Sequence, residues 1–126
     1  MSGGGWYVLV EGRKYGDAWE LVRTVHVEGD RAQALARAAQ LTRACRSEGK
    51  EWPADTIPQV GRRVFRTSEA SWLVEILRSH WDDETKEPST SSYVLRVSVA
   101  ELEYAEELVP VEPPVRSRLR RALGRG

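Results

Sequence analysis

Between residues 19 and 28 the chain alternates. Trp19, Leu21, Val25 and Val27 fall on one side of an extended backbone and Glu20, Thr24, His26 and Glu28 on the other, a period of two that predicts a strand. Arg23 breaks the apolar side and Val22 the polar one. Residues 6–11 read as an earlier strand, and Gly12-Arg13-Lys14-Tyr15-Gly16-Asp17 supplies the glycine and charge of a hairpin connection. Gly29-Asp30 ends the second strand, and the pattern changes to a helix from Arg31 to about Ser47. Asp30 is its expected N-cap, and Gly49 lies near its end. Ala32, Leu35, Ala36, Ala39, Leu41, Ala44 and Cys45 are its apolar positions, and the alanines allow close approach to a sheet.

Residues 50–61 have no period and contain Pro53, Pro58 and Gly61, which predicts a loop pinned by Trp52 and Ile57. Residues 62–67 and 71–81 read as a second hairpin around Ser68-Glu69-Ala70. Residues 82–92, with Pro88 and several Ser and Thr, read as a mobile polar loop. Tyr93, Leu95, Val97 and Val99 alternate with Arg96 and Ser98 to give a last strand. Ser98-Val99-Ala100-Glu101 matches a capping box and predicts a short helix to about Val109; prolongation of the strand is the other reading. Pro110, Pro113 and Pro114 then form an extended linker.

The expected fold is therefore α+β: a mainly antiparallel sheet of about five strands, in the order β-β-α-β-β-β, with one long helix on one face and a short C-terminal helix. Residues 1–109 form the expected single domain, and residues 110–126 a Pro-rich linker with an Arg-rich tail. In residues 72–77, Trp72, Val74 and Ile76 point one way while Leu73 and Leu77 point the other. A strand apolar on both sides calls for cover on both, by a docked terminus or a second copy of the chain.

Charge changes this picture. The 126 residues hold nineteen basic and nineteen acidic side chains. Five of the basic ones, Arg116, Arg118, Arg120, Arg121 and Arg125, lie in residues 113–126, which contain no acid. The first 112 residues thus hold fourteen against nineteen, a net charge of −5. A basic terminus segregated in this way points to an anionic partner: nucleic acid, a membrane surface, another protein, or the acidic stretch at residues 82–112 of the same chain. Five phosphate contacts would limit the logarithmic salt slope on duplex DNA to about −4 to −5.

A second basic group, Arg62, Arg63 and Arg66, is interleaved with Val64 and Phe65. It is an auxiliary candidate for single-stranded nucleic acid, although charge on a strand that guards a sheet edge is the plainer account. No RNP motif, GXXG loop or zinc finger accompanies it.

Five tryptophans are many for this length, and Trp72 and Trp81 are candidate surface or interface anchors. Cys45 is the single cysteine, which excludes an intramolecular disulfide and fits a cytoplasmic setting. The start Met-Ser-Gly-Gly-Gly has no signal-peptide pattern, and no apolar run is long enough to span a bilayer.

Catalytic candidates are thin. His80-Trp81-Asp82-Asp83-Glu84 is the only local cluster of metal-ligand types, Cys45 sits on an apolar helix face, and neither a GxSxG turn nor a phosphate-binding loop is present. Arg23, Glu75 and Arg96 could form a polar patch if their strands adjoin, with Trp72 beside it as a pocket wall. A solvent-facing cross-strand ion pair is the plainer account of them. No catalytic residue, metal or cofactor is expected. The sequence reads as a non-catalytic interaction or adaptor domain that binds a protein, or its own second copy, through a sheet surface and the basic tail. Nucleic-acid binding by the tail and a small enzyme with a sheet-face pocket are the alternatives.

Overall fold

The computed structural model describes residues 5–13, 18–46 and 60–114. The elements run β1 (Trp6–Arg13), β2 (Trp19–Val27), α1 (Arg31–Ala44), β3 (Val60–Ser68), β4 (Ser71–Asp82) and β5 (Glu87–Glu101). All strands pair antiparallel in one sheet of order β2-β1-β5-β4-β3. The two hairpins are thus joined through β5, the longest strand, which lies at the centre between β1 and β4.

Alternation decides which face α1 covers. Val8, Val10, Trp72, Val74, Ile76, Leu95 and Val97 are all buried. The register places Val10 beside Val97 and Val97 beside Trp72, with Val74 beside Leu95, so these residues form one apolar field across three strands. Ala34, Ala38, Leu41 and Cys45 of the helical segment close over that field. Their spacing of four, three and four residues is one helical stripe. Ala32 and Ala36, expected within the apolar face, are exposed instead. Alanine is small enough to sit on either side, so its presence does not mark which face is buried.

The start of α1 is built as its sequence predicts. The Asp30 carboxylate accepts from the backbone N–H of Gln33 at 3.1 Å, and the Gln33 side chain accepts from the Asp30 N–H at 2.8 Å. Gly29, at φ 124°, occupies a backbone region that favours glycine, and a Cβ there would collide with the Gln33 amide. Replacing Asp30 by alanine is expected to lower stability by about 1 kcal/mol in a urea titration.

The end of α1 differs from expectation. The helix stops at Ala44, three residues short of Ser47, with Cys45 extended as its C-cap; Gly49 lies outside the described residues. Arg62, reaching from β3, donates to the carbonyls of Thr42 at 3.2 Å and Cys45 at 2.7 Å. A guanidinium satisfies carbonyls that the last turn leaves open, and its charge suits the negative end of the helix. Arg62→Ala should destabilise by about 2 kcal/mol, read as a lower urea midpoint with an unchanged slope.

Three other local expectations are corrected. In β2 the alternation is broken by a bulge, because Val10 pairs with Arg23 but Glu11 pairs with Leu21. One extra residue in the strand shifts the faces: Val22 and Val25 pack on the core, while Leu21 is exposed on the other side. The interruption at Val22-Arg23 in the sequence is that bulge.

The polar stretch 82–92 is mostly strand. A turn at residues 83–86 joins β4 to β5, and Ser79, His80 and Trp81 pair with Thr90, Ser89 and Pro88. The Asp82 carboxylate accepts from the N–H of Glu84 at 2.9 Å, and Lys86 closes the turn at φ 56°. Ser and Thr satisfy a ladder through their backbones, so polarity on both faces did not prevent a strand.

Lastly, residues 98–101 prolong β5, and residues 102–114 form neither helix nor strand. Pairing of Val99 and Glu101 with Val8 and Trp6 outweighs the local capping signal. No helix among the described residues is long and apolar enough to cross a membrane.

Candidate functional site: the sheet face opposite the helix

Every strand presents its second set of side chains to the face that α1 does not cover. One row crosses all five strands as Leu21, Glu11, Arg96, Leu73 and Phe65. At its centre the Arg96 guanidinium donates to both Glu11 carboxylate oxygens, at 3.0 and 3.1 Å. Those bonds push the Arg96 pKa above its already high ordinary value, so the side chain is a permanent cation. It also lies over the Trp19 ring, 4.5 Å from the centroid, while Arg13 lies 5.6 Å from the same ring. Trp19 is therefore held by two guanidinium groups, and the ring gains cation–π attraction from both.

A second ion pair, Arg63 with Glu75, stands on β3 and β4 of the same face. Around these pairs the face is apolar at its margins, with Leu21 58% and Phe65 49% exposed. Fixed arginines, an indole and exposed aliphatic or aromatic groups are the residue types enriched where proteins meet.

The residues singled out from sequence separate here. Glu75 and Arg96 share the open face but pair with Arg63 and Glu11 rather than with each other, and Arg23 lies on the opposite side with Val25. Arg63 and Phe65 face the open side. Arg62 faces the helix, where it caps α1, and Arg66 lies 5.0 Å from the Trp72 ring centroid and donates to the Ser68 and Glu69 carbonyls. Trp72 is buried in the core against the helix, so its indole is not part of the open surface; Trp81, near the tip of the β4–β5 hairpin, is exposed. Arg116, Arg118, Arg120, Arg121 and Arg125 lie outside the described residues, as do Trp52 and Ile57.

Cys45 is buried, and loss of solvent raises its pKa despite the nearby Arg62, which keeps it a thiol. Among the described residues no three of His, Cys, Asp or Glu converge on a metal-sized space. His26 stacks at a tilt on Tyr7, 5.1 Å between ring centroids.

Sequence reasoning missed two features of this face. Glu11 was placed at a strand end, yet it is the partner of Arg96; opposite charges on strands that the chain order does not make neighbours gave no sign of contact. A hollow of about 530 Å³ at the β1 end, floored by Tyr7 and Leu9, was also missed. Its wall comes from residues beyond β5 that the sequence assigned to a helix.

No family model, curated protein or solved structure matches this chain.

Proposed function

We propose that this chain is a non-catalytic interaction domain whose helix-free sheet face binds a macromolecular partner, with the five tail arginines adding attraction for an anionic part of it. One observation carries the reading: among the described residues no helix packs over the sheet face opposite α1, where the Trp19 ring lies within cation–π reach of Arg13 and Arg96 and where Leu21 and Phe65 stand into solvent. Pre-fixed side chains lose little conformational freedom on docking, which favours their use as anchors. The ion pairs beside them are already satisfied within the chain, so a partner gains area and shape from this face rather than a reactive group. That is why binding is favoured over an enzyme reading.

The test is photo-crosslinking in cells, with a photoreactive residue at Phe65 or at Leu73 and, as control, at Ala36 on the exposed side of α1. A discrete adduct from the sheet positions and none from Ala36 is the expected result. Equal adducts from both faces, or none from the sheet, would refute the proposal. A low-salt mobility shift that vanishes when residues 113–126 are removed would favour nucleic acid as the anionic component.

A further inference from the structure

Small side chains at one end of the open face leave room that the sheet does not fill. Two rows cross there, His26-Tyr7-Ala100 and Thr24-Leu9-Ser98, and on β5 they end in alanine and serine. β4 pairs no further along β5 than Ser98, opposite Ser71, so Ala100 has no β4 neighbour beside it. Beyond β5 the chain keeps to the sheet as far as Leu102, whose N–H donates to the Gly5 carbonyl at 2.9 Å. Leu102 and Tyr104 then raise a wall over the floor of Tyr7, Leu9, Thr24 and Ala100. The hollow between them, about 530 Å³, has the size of a small-ligand cavity and a largely apolar and aromatic lining.

Charge decides what fits it. Glu101 and Glu103 also line the hollow, and none of the described residues around it is basic. Arg96, farther along β5 on the same face, is already neutralised by both oxygens of Glu11. The Tyr104 hydroxyl donates to Glu106, which orients the ring and brings a third carboxylate to the wall. Tyr104 is 74% exposed, so its ring meets solvent and not the core. Aromatic faces carry partial negative charge and attract cations, and Tyr7 and Tyr104 supply one at the floor and one at the wall. An anion would meet like charge here, and a neutral apolar ligand would leave these attractions unused.

We propose that this hollow binds a small organic cation, an ammonium group on an apolar body, with the body on Leu9, Ala100 and Leu102 and the charge among Tyr7, Tyr104 and the carboxylates of Glu101 and Glu103. Exposed ionic and cation–π contacts are individually weak, so a ligand with a single ring is expected to bind with a dissociation constant on the order of 1 mM. Leu73 and Phe65, which carry the crosslinking test above, stand on β4 and β3 and line no part of the hollow. Cation binding and partner binding can therefore fail independently.

The test is a titration of the full chain, followed by backbone amide shifts, with phenethylammonium, phenethyl alcohol and phenylacetate, which share one ring and differ in charge. Phenethylammonium should saturate shifts at Leu9, Thr24 and Ala100, bind about tenfold more tightly than the alcohol and weaken as salt is added, while phenylacetate should not saturate them. Combined Glu101→Gln and Glu103→Gln should lower cation affinity about fivefold and leave that of the alcohol unchanged, and Tyr104→Ala should lower cation affinity about threefold. All three side chains are exposed, so the melting temperature should stay at its parental value in both variants. Equal binding of the three ligands, no saturation by phenethylammonium at about 20 mM, or glutamine variants that bind the cation as the parent does would each overturn the proposal. A synthetic peptide of residues 115–126 that saturates these amides where phenethylammonium does not would assign the hollow to a basic chain segment and overturn it as well.

Discussion

Leu41→Ala is expected to lower unfolding free energy by about 3 kcal/mol, the largest loss from any single truncation considered for this fold. Leu41 is fully buried, shares with Leu95 the greatest volume among the fully buried side chains, and lies on the stripe of α1 that meets the sheet. Its helix neighbours on that stripe, Ala34 and Ala38, are too small to close the space left behind. The sheet floor below is fixed by ladders on both sides of β1 and β5, so the site has little means of collapsing. A cavity term therefore adds to the lost transfer energy. Against a total of about 5–15 kcal/mol for a domain, such a loss should move the melting temperature down by about 10 °C. Calorimetry would measure it, and a shift below about 2 °C would mean that α1 does not pack as described.

The legibility of this fold follows physical range. Asp30 and Gln33 meet across one helical turn, and the start of α1 was readable because its cap is a local interaction. The strands were readable wherever one face was buried, as for Tyr93, Leu95, Val97 and Val99, since burial on one side imposes the period of two. The reading failed where a partner distant in sequence decided the outcome. Residues 98–101 carry a helix-capping pattern but pair with β1 from about ninety positions away, and the ladder prevails. Arg62 looked like a surface charge because the carbonyls it caps lie on another element. At the candidate site, charge type was visible for Arg96 and Glu75, and Arg63 faces Glu75 across the hairpin that the sequence predicts, but Glu11, the partner of Arg96, depends on strand order. That order is set by β5 entering the centre of the sheet, which no short-range pattern encodes.

Combined Leu21→Glu and Phe65→Glu should produce the opposite signature to Leu41→Ala: a fold left intact and a binding surface lost. Both side chains are about half exposed or more and lie at the two ends of the row through Glu11, Arg96 and Leu73, so replacing them removes little buried area from the monomer. Exposed substitutions of this kind stay within about 0.5 kcal/mol of the parent stability. At an interface the same changes would have a large effect. Each introduces a carboxylate that a docked partner would have to desolvate, and the two charges together are expected to remove about 2 kcal/mol or more of binding. With the photoreactive residue kept at Leu73, between the two sites on the same face, the yield of the cellular adduct should fall by about thirtyfold or more. The Glu11–Arg96 and Arg63–Glu75 pairs remain to hold Trp19 and the strands in place, so loss of yield cannot be assigned to a collapsed sheet. If the adduct persists at parental yield while the melting temperature is unchanged, the open face is not the surface that meets the partner.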